Sequence, residues 1–232
     1  MWLVCFLCRD FLFKRSQLFP EPVQKKCLSI LAHMRESAHE YLLRNVHALL
    51  KPQYKKLGTK EWLYTTQFNE LLCCIERQIQ NIEGLPEICH QGLVGQFHVD
   101  VAAEYVKRLL KAQVKLNDKE EQDRAYTVVT NNTESLHNLM SKMGSKEDWL
   151  KEVLTMIAEV LKLQDLPAIQ IHMAELGNRF PDLSPRHVSA LLKLKATVSK
   201  KDRKLVKQTL SEVLTGGRFG DAPPFFSKVK VY

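Results

Sequence analysis

The sequence contains little glycine and little proline, with nine residues of each among 232. Together they make up about 8% of the chain, against a usual combined share of about 12%. Leucine, lysine, glutamate, glutamine and alanine are plentiful instead, and this composition favours helices over strands. Hydrophobic residues account for 45% and charged residues for 26%, which is typical of a folded globular protein.

Long apolar runs are absent from the sequence. The N-terminal segment opens with eight apolar residues before Arg9 and Asp10 interrupt it, which is far short of the ~20 residues that span a bilayer. A secretory signal would need a basic stretch before this run and a small-residue cleavage site after it, and neither is present. Cys73 and Cys74 are adjacent, an arrangement that does not suit a disulfide framework. We therefore expect reduced thiols and a cytoplasmic location.

Motifs for catalysis and phosphate binding are also missing from the sequence. The Gly-x-x-Gly pair at 92–95 lies inside a helical pattern, and neither a Walker loop nor a dinucleotide fingerprint occurs. Two Glu-x-x-His motifs, at 36–39 and 87–90, resemble the ligands of a carboxylate-bridged metal pair. The first motif falls on the predicted outward half of its helix, so a metalloenzyme is the weakest hypothesis. We expect no enzymatic activity, no cofactor, no metal and no small-molecule substrate.

Apolar residues recur at helical spacing from Val23 onward, and start and stop residues divide the chain into helices. Long helices are predicted over 22–51, 59–84, 86–116 and 118–143, with Pro52 ending the first. Shorter helices are predicted from 149, after a capping box at Ser145 and Asp148, and over 166–179, 185–196 and 200–214. The predicted caps of the last three helices are Asp165, Ser184 and Ser199, with Asp202 three residues after Ser199. The predicted fold class is all-α, an elongated stack of helical bundles.

Gly144 separates the long helices from the short ones. We predict four segments: a divergent apolar N-terminus over 1–21, a long-helix bundle over 22–143, a short-helix C-terminal bundle over 144–217 and a loose tail over 218–232. The only β-like segment is 229–232. The buried stripe predicted for the first helix contains Cys27, Leu31, Met34, Ala38 and Tyr41. The lysines around Pro52 are predicted to be loop charges, namely Lys51, Lys55 and Lys56.

The last predicted helix is basic and amphipathic, because its basic residues fall on one arc at 100° per residue. The opposite arc contains Leu205, Val206, Thr209 and Val213. With two lysines that precede the helix, the candidate contact residues are Lys193, Lys195, Lys200, Lys201, Arg203, Lys204 and Lys207. Such a segment is either a solvated outer face or a contact for an acidic protein or an anionic phospholipid surface. Nucleic acid is disfavoured as a partner, because no aromatic residues alternate with the basic ones.

Five short motifs occur together in this sequence, and their combination is typical of one protein family. Trp-Leu at 149–150 opens a helix, Ala-Glu-Val-Leu follows at 158–161, and Phe-Pro-Asp lies at 180–182. His-Val-Ser-Ala-Leu-Leu at 187–192 and Glu-Tyr-Val-Lys-Arg-Leu-Leu at 104–110 complete the set. In these motifs the sequence resembles the C-terminal region of the exocyst complex component 3 family.

The resemblance covers about residues 24–204, whereas the apolar start over 1–13 does not match. The divergent ending favours a paralogous branch over the core subunit, either the exocyst complex component 3-like proteins or tumour necrosis factor alpha-induced protein 2. Family members are considerably longer, so we expect this chain to correspond to the C-terminal portion of their helical rod. Without further helices, the apolar seams at its start would promote self-association unless Trp2, Phe6 and Phe11 cover them.

The resemblance implies a helical-rod tethering protein without enzymatic activity. Such a protein helps to bring secretory vesicles to the plasma membrane, binds exocyst subunits and SNARE proteins, and acts from the cytoplasm at the periphery of that membrane. The alternative function is an anionic-membrane (phosphoinositide) binding module that uses the basic segment at 193–207 outside the exocyst.

Overall fold

The computed structural model describes residues 2–82, 84–216 and 220–231, and of residues 2–4 and 6 only the backbone. The α-helices are α1 (Trp2–Lys14), α2 (Glu21–Lys56), α3 (Gln67–Gln80), α4 (Glu87–Leu110), α5 (Lys119–Lys142), α6 (Trp149–Lys162), α7 (Leu166–Arg179), α8 (Pro185–Leu192) and α9 (Lys200–Thr215). Within the described residues, β-structure is limited to one isolated bridge between Leu116 and Lys195. The predicted all-α class is therefore confirmed. None of the helices described has the length and apolar character of a membrane span.

The helices pack mainly against helices that are adjacent or one apart in chain order. The α5–α6 pair forms the most extensive contact, α7 packs on α9, and α2 packs on α3 and α4. The buried apolar side chains form one cluster that extends from α2 to the tail. The core therefore continues across Gly144, and the division of the chain into segments stays a prediction.

The α2 helix differs from the predicted first helix in its end and its buried face. Pro52 lies inside the helix, because proline removes a single backbone donor while buried Tyr54 and Leu57 hold the last turn against the core. The buried residues are Ala38, His39, Leu43, Val46, Leu50 and Tyr54, whereas Tyr41 is 71% exposed. The predicted loop charges belong to this helix as well, namely Lys51, Lys55 and Lys56.

Helix caps in the second half of the chain agree with the sequence at three of four positions. Asp165 caps α7, Ser184 caps α8, and Ser199 forms the predicted capping box of α9 with the acid three residues on. The box predicted for α6 is wrong, because Asp148 makes no capping hydrogen bond. Ser145 instead lies 2.9 Å from Nδ1 of the buried His98, which is 47 residues away in the sequence.

The described part of the predicted loose tail is packed against the core. Phe225, Phe226 and Val229 are almost fully buried, and the ring centroids of Phe226 and Phe180 lie 6.2 Å apart. His187 accepts a backbone N–H at Nδ1 and therefore donates from Nε2 to the carbonyl of Val229 at 2.8 Å. Aromatic burial thus holds the tail. A 3₁₀ turn forms over Phe226–Lys228, and the described residues 229–231 of the β-like segment form no strand. Residues 217–219 and 232 lie outside the described residues.

Candidate functional site

The packing of α9 on α7 and α8 decides which of its side chains reach solvent. Val206 and Leu210 are its buried residues, and Gly177 of α7 lies so close to Leu210 that a Cβ at this position would collide with it. The buried face is rotated by roughly 70° from the predicted apolar arc. Leu205, which lies on the predicted apolar arc, is therefore 40% exposed.

Four of the seven predicted contact residues form an exposed basic surface, which we define as Lys193, Lys200, Lys201 and Lys204. None of these four ammonium groups is in an ion pair among the described residues. Arg203 and Lys207 lie half-buried at the edge of this surface. Arg203 donates from Nη1 to the carbonyl of Val198 at 2.8 Å. The basic surface is therefore smaller than predicted but positively charged throughout.

Asp202 is the only acid between residues 193 and 207, and its carboxylate is already engaged. It accepts the backbone N–H of Ser199 at 3.0 Å, while its own N–H donates to Oγ of Ser199 at 3.1 Å. These hydrogen bonds, together with the nearby Lys201 and Arg203, lower the pKa of Asp202. Because this carboxylate caps α9, it does not pair with the basic surface.

Lys195 does not belong to the basic surface, because its side chain is only 1% exposed. Its Nζ donates to the carbonyl oxygens of Leu161 at 2.7 Å, Leu163 at 2.5 Å and Val160 at 3.3 Å. These carbonyls end α6, where the helix itself supplies no donors. The side-chain amide of Gln164 donates to the carbonyl of Lys162 at 2.8 Å. The prediction that Lys195 contacts a partner is therefore wrong, and its ammonium caps α6.

Backbone pairing positions the loop that carries Lys195. The N–H of Leu116 donates to the carbonyl of Leu194 at 2.8 Å, and the N–H of Ala196 donates to the carbonyl of Leu116 at 3.0 Å. Burial lowers the pKa of Lys195 to about 8, while Asp123 acts in the opposite direction. The ammonium is therefore charged at neutral pH, and it lies at the negative end of the α6 dipole.

An apolar groove between α1 and α2 is the second exposed surface. It has a volume of about 640 Å³ and is lined by Leu7, Cys8, Phe11, Leu12, Cys27, Ile30 and Leu31. Leu7, Phe11 and Ile30 are each more than half exposed. Phe11 packs on Phe19 with 6.2 Å between ring centroids, yet the expected cover of the first helices by Phe11 is incomplete. The side chains of Trp2 and Phe6 lie outside the described part of the structure.

The first Glu-x-x-His motif has a different orientation from the one predicted. His39 is buried, with its ring against Gly92, while Glu36 is exposed. The buried stripe of α2 runs through His39 and Leu43, so the predicted outward position of this histidine is wrong. Burial lowers the pKa of His39 to about 4. No group of three metal-ligating side chains occurs among the residues described.

The stack of packed helices defines the chain as an all-α helical-bundle protein. Comparison with protein families gives the particular family. The sequence model of Exocyst complex component Sec6 matches residues 11–200. The chain therefore belongs to the exocyst complex component Sec6 family, and the match begins earlier than the resemblance found over 24–204.

Curated relatives come from both paralogous branches that the sequence indicated. Human tumor necrosis factor alpha-induced protein 2 is 26% identical over 227 residues, which are 97% of this chain and 34% of the relative. The Bos taurus exocyst complex component 3-like protein is 27% identical over 164 residues, 70% of this chain and 22% of the relative. The chain thus spans about a third or less of the length of these relatives.

Two solved structures have the same fold. The crystal structure of M-Sec matches with a TM-score of 0.88 and 24% identity, over 98% of this chain and 39% of that chain. The crystal structure of the C-terminal domain of the exocyst subunit Sec6p matches with a TM-score of 0.75 and 13% identity, over 100% of this chain and 61% of that chain. The shared fold therefore includes α1 and the packed tail.

Proposed function

We propose that this chain is a non-enzymatic scaffold of the exocyst type, which binds exocyst subunits and SNARE proteins during vesicle tethering. Membership of the exocyst complex component Sec6 family over residues 11–200 carries the proposal. One solved structure with the same fold is likewise named as an exocyst subunit. This role suits a cytoplasmic protein that acts at the periphery of the plasma membrane.

The basic surface is the part of the chain that we assign to partner binding. Its four ammonium groups lie on α9 and on the loop before it, and the only acid between residues 193 and 207 caps the helix. Unpaired charges on a rigid helix steer an acidic partner and favour one orientation of binding. Tethering also combines several weak contacts, so one such surface needs only modest affinity.

A pull-down from cytosol with quantitative mass spectrometry tests this proposal. The variant K200E/K201E/K204E reverses three charges of the basic surface. The matched control K55E/K60E/K146E makes the same change in net charge at exposed lysines elsewhere. We expect the wild type and the control to recover exocyst subunits, and the first variant to recover about tenfold less.

Two results would count against this proposal. Recovery of no exocyst subunit and no SNARE protein by the wild type contradicts the function itself. Equal recovery by the two charge-reversal variants contradicts the assignment of the basic surface but leaves the function standing.

Binding to an anionic phospholipid surface outside the exocyst is the second candidate function. The same four unpaired lysines favour it, because each basic residue near an anionic leaflet contributes about 1 kcal/mol. Co-sedimentation with phosphoinositide-containing vesicles should weaken as salt increases and in the K200E/K201E/K204E variant. Binding that is indifferent to both changes would reject this function, and neutral vesicles provide the baseline.

A further inference from the structure

A polar groove between α2, α4 and the tail has no part in the proposed function. It has a volume of about 480 Å³, and its ionisable lining includes His47, Lys51, Asp100, Glu104, Arg108 and Lys228. Tyr54 and Ala103 also line it and are themselves buried. The groove therefore has a well-packed base beneath a rim of charged side chains.

Both carboxylates of the polar groove already have partners. Glu104 accepts hydrogen bonds from Nζ of Lys107 and Nε of Arg108, each at 2.7 Å. Burial raises the pKa of Glu104, but these two partners outweigh it and hold the pKa below its usual value. Asp100 accepts a hydrogen bond from the side-chain amide of Gln96 at 2.7 Å. Its other carboxylate oxygen lies 3.5 Å from Nε2 of His47. Neither carboxylate forms an ion pair with Lys51 or Lys228.

Lys51 and Lys228 line the same groove and have no ion-pair partner among the described residues. Lys51 projects from α2. Lys228 belongs to the tail, where Phe226 is buried and Asp182 accepts the backbone N–H of Ser227 at 2.8 Å. The packed tail contacts α4 and so holds Lys228 at the groove.

The charges that line the polar groove do not balance. Four cations, Lys51, Lys107, Arg108 and Lys228, line the groove with the two carboxylates, which leaves a net charge of +2 without His47. Ammonium and guanidinium groups are common partners of phosphate, and the volume suits a small molecule. We propose that the polar groove binds a phosphorylated polyol, free or as a lipid headgroup, with Lys51 and Lys228 contacting its phosphates.

Isothermal titration of the purified chain with inositol 1,4,5-trisphosphate tests this site. The variants K51A and K228A each remove one unpaired ammonium. The matched controls K55A and K230A remove exposed lysines from the same helix and the same tail, outside the groove. We expect each groove variant to weaken binding about fivefold and each control to bind as the wild type does. All four side chains are exposed, so the melting temperature should be unchanged.

Vesicles distinguish the two sources of the ligand. If the headgroup of a lipid is the ligand, phosphoinositide vesicles bind the chain and free inositol trisphosphate displaces it, whereas a soluble ligand gives titration heat without vesicle binding. The K200E/K201E/K204E variant should bind the soluble probe normally, which separates this site from the basic surface. Absence of heat with the wild type would overturn the proposal, as would equal binding by K51A/K228A and K55A/K230A.

Discussion

Replacement of Lys195 by methionine should destabilise the chain far more than replacement of any lysine of the basic surface. Methionine keeps an unbranched apolar stem but has no donor, so the carbonyls of Leu161 and Leu163 lose their partner in a buried setting. A buried acceptor left without a hydrogen bond costs about 1–3 kcal/mol. With two short hydrogen bonds removed, we expect the free energy of unfolding to fall by about 3 kcal/mol.

Urea unfolding followed by circular dichroism measures this loss. The control K200M changes an exposed lysine on α9 and should alter the free energy of unfolding by less than about 0.5 kcal/mol. If K195M is as stable as K200M, then Lys195 does not cap α6 and the structural argument is refuted.

The difference in unfolding free energy between the wild type and K195M should also depend on pH, which gives a second test of the role of Lys195. Burial lowers its pKa from 10.5 to about 8 in the folded chain. Between these values the unfolded chain retains a proton that the folded chain has released, so wild-type stability rises with pH there. Relative to K195M, the gain should approach about 3 kcal/mol between pH 8 and 10.5. A stability difference that stays flat over this range would contradict the lowered pKa.

Three further predictions concern other parts of the chain. Burial lowers the pKa of His98 from 6.5 to about 3. The unfolded chain therefore binds a proton first as pH decreases over this range, and the free energy of unfolding should fall. Urea unfolding of H98Q should show a smaller fall. F226A should lower the free energy of unfolding by about 3 kcal/mol, whereas K230A, at an exposed tail position, should not. Light scattering of the concentrated chain should show self-association through the apolar groove. The variant L7S/I30S should reduce it, because both side chains line that groove. If the variant has the same average mass as the wild type, the groove is not the contact.

Local sequence signals predicted the second half of the chain well. The α7 helix has the predicted bounds, 166–179, because Asp165 supplies its cap and Phe180 leaves the helical conformation after it. The capping box at Ser199 likewise depends on two residues that are three positions apart. Each of these signals involves neighbours in the chain, so they can be recognised without knowledge of the tertiary structure.

Contacts between distant residues explain what the sequence did not predict. Lys195 meets acceptors that lie 32 to 35 residues earlier, so spacing within its own segment indicated only another surface charge. The helix continues past Pro52 because tertiary packing outweighs one lost backbone hydrogen bond. Lys228 reaches the polar groove only because the tail is packed, and no local pattern links it to Lys51.

Direct binding between the purified chain and each purified exocyst subunit is the most decisive measurement, and analytical ultracentrifugation provides it without other cytosolic proteins. The scaffold account predicts a complex with at least one subunit, which the charge reversal K200E/K201E/K204E weakens and K55E/K60E/K146E preserves. Sedimentation of the chain independently of every subunit would contradict the account.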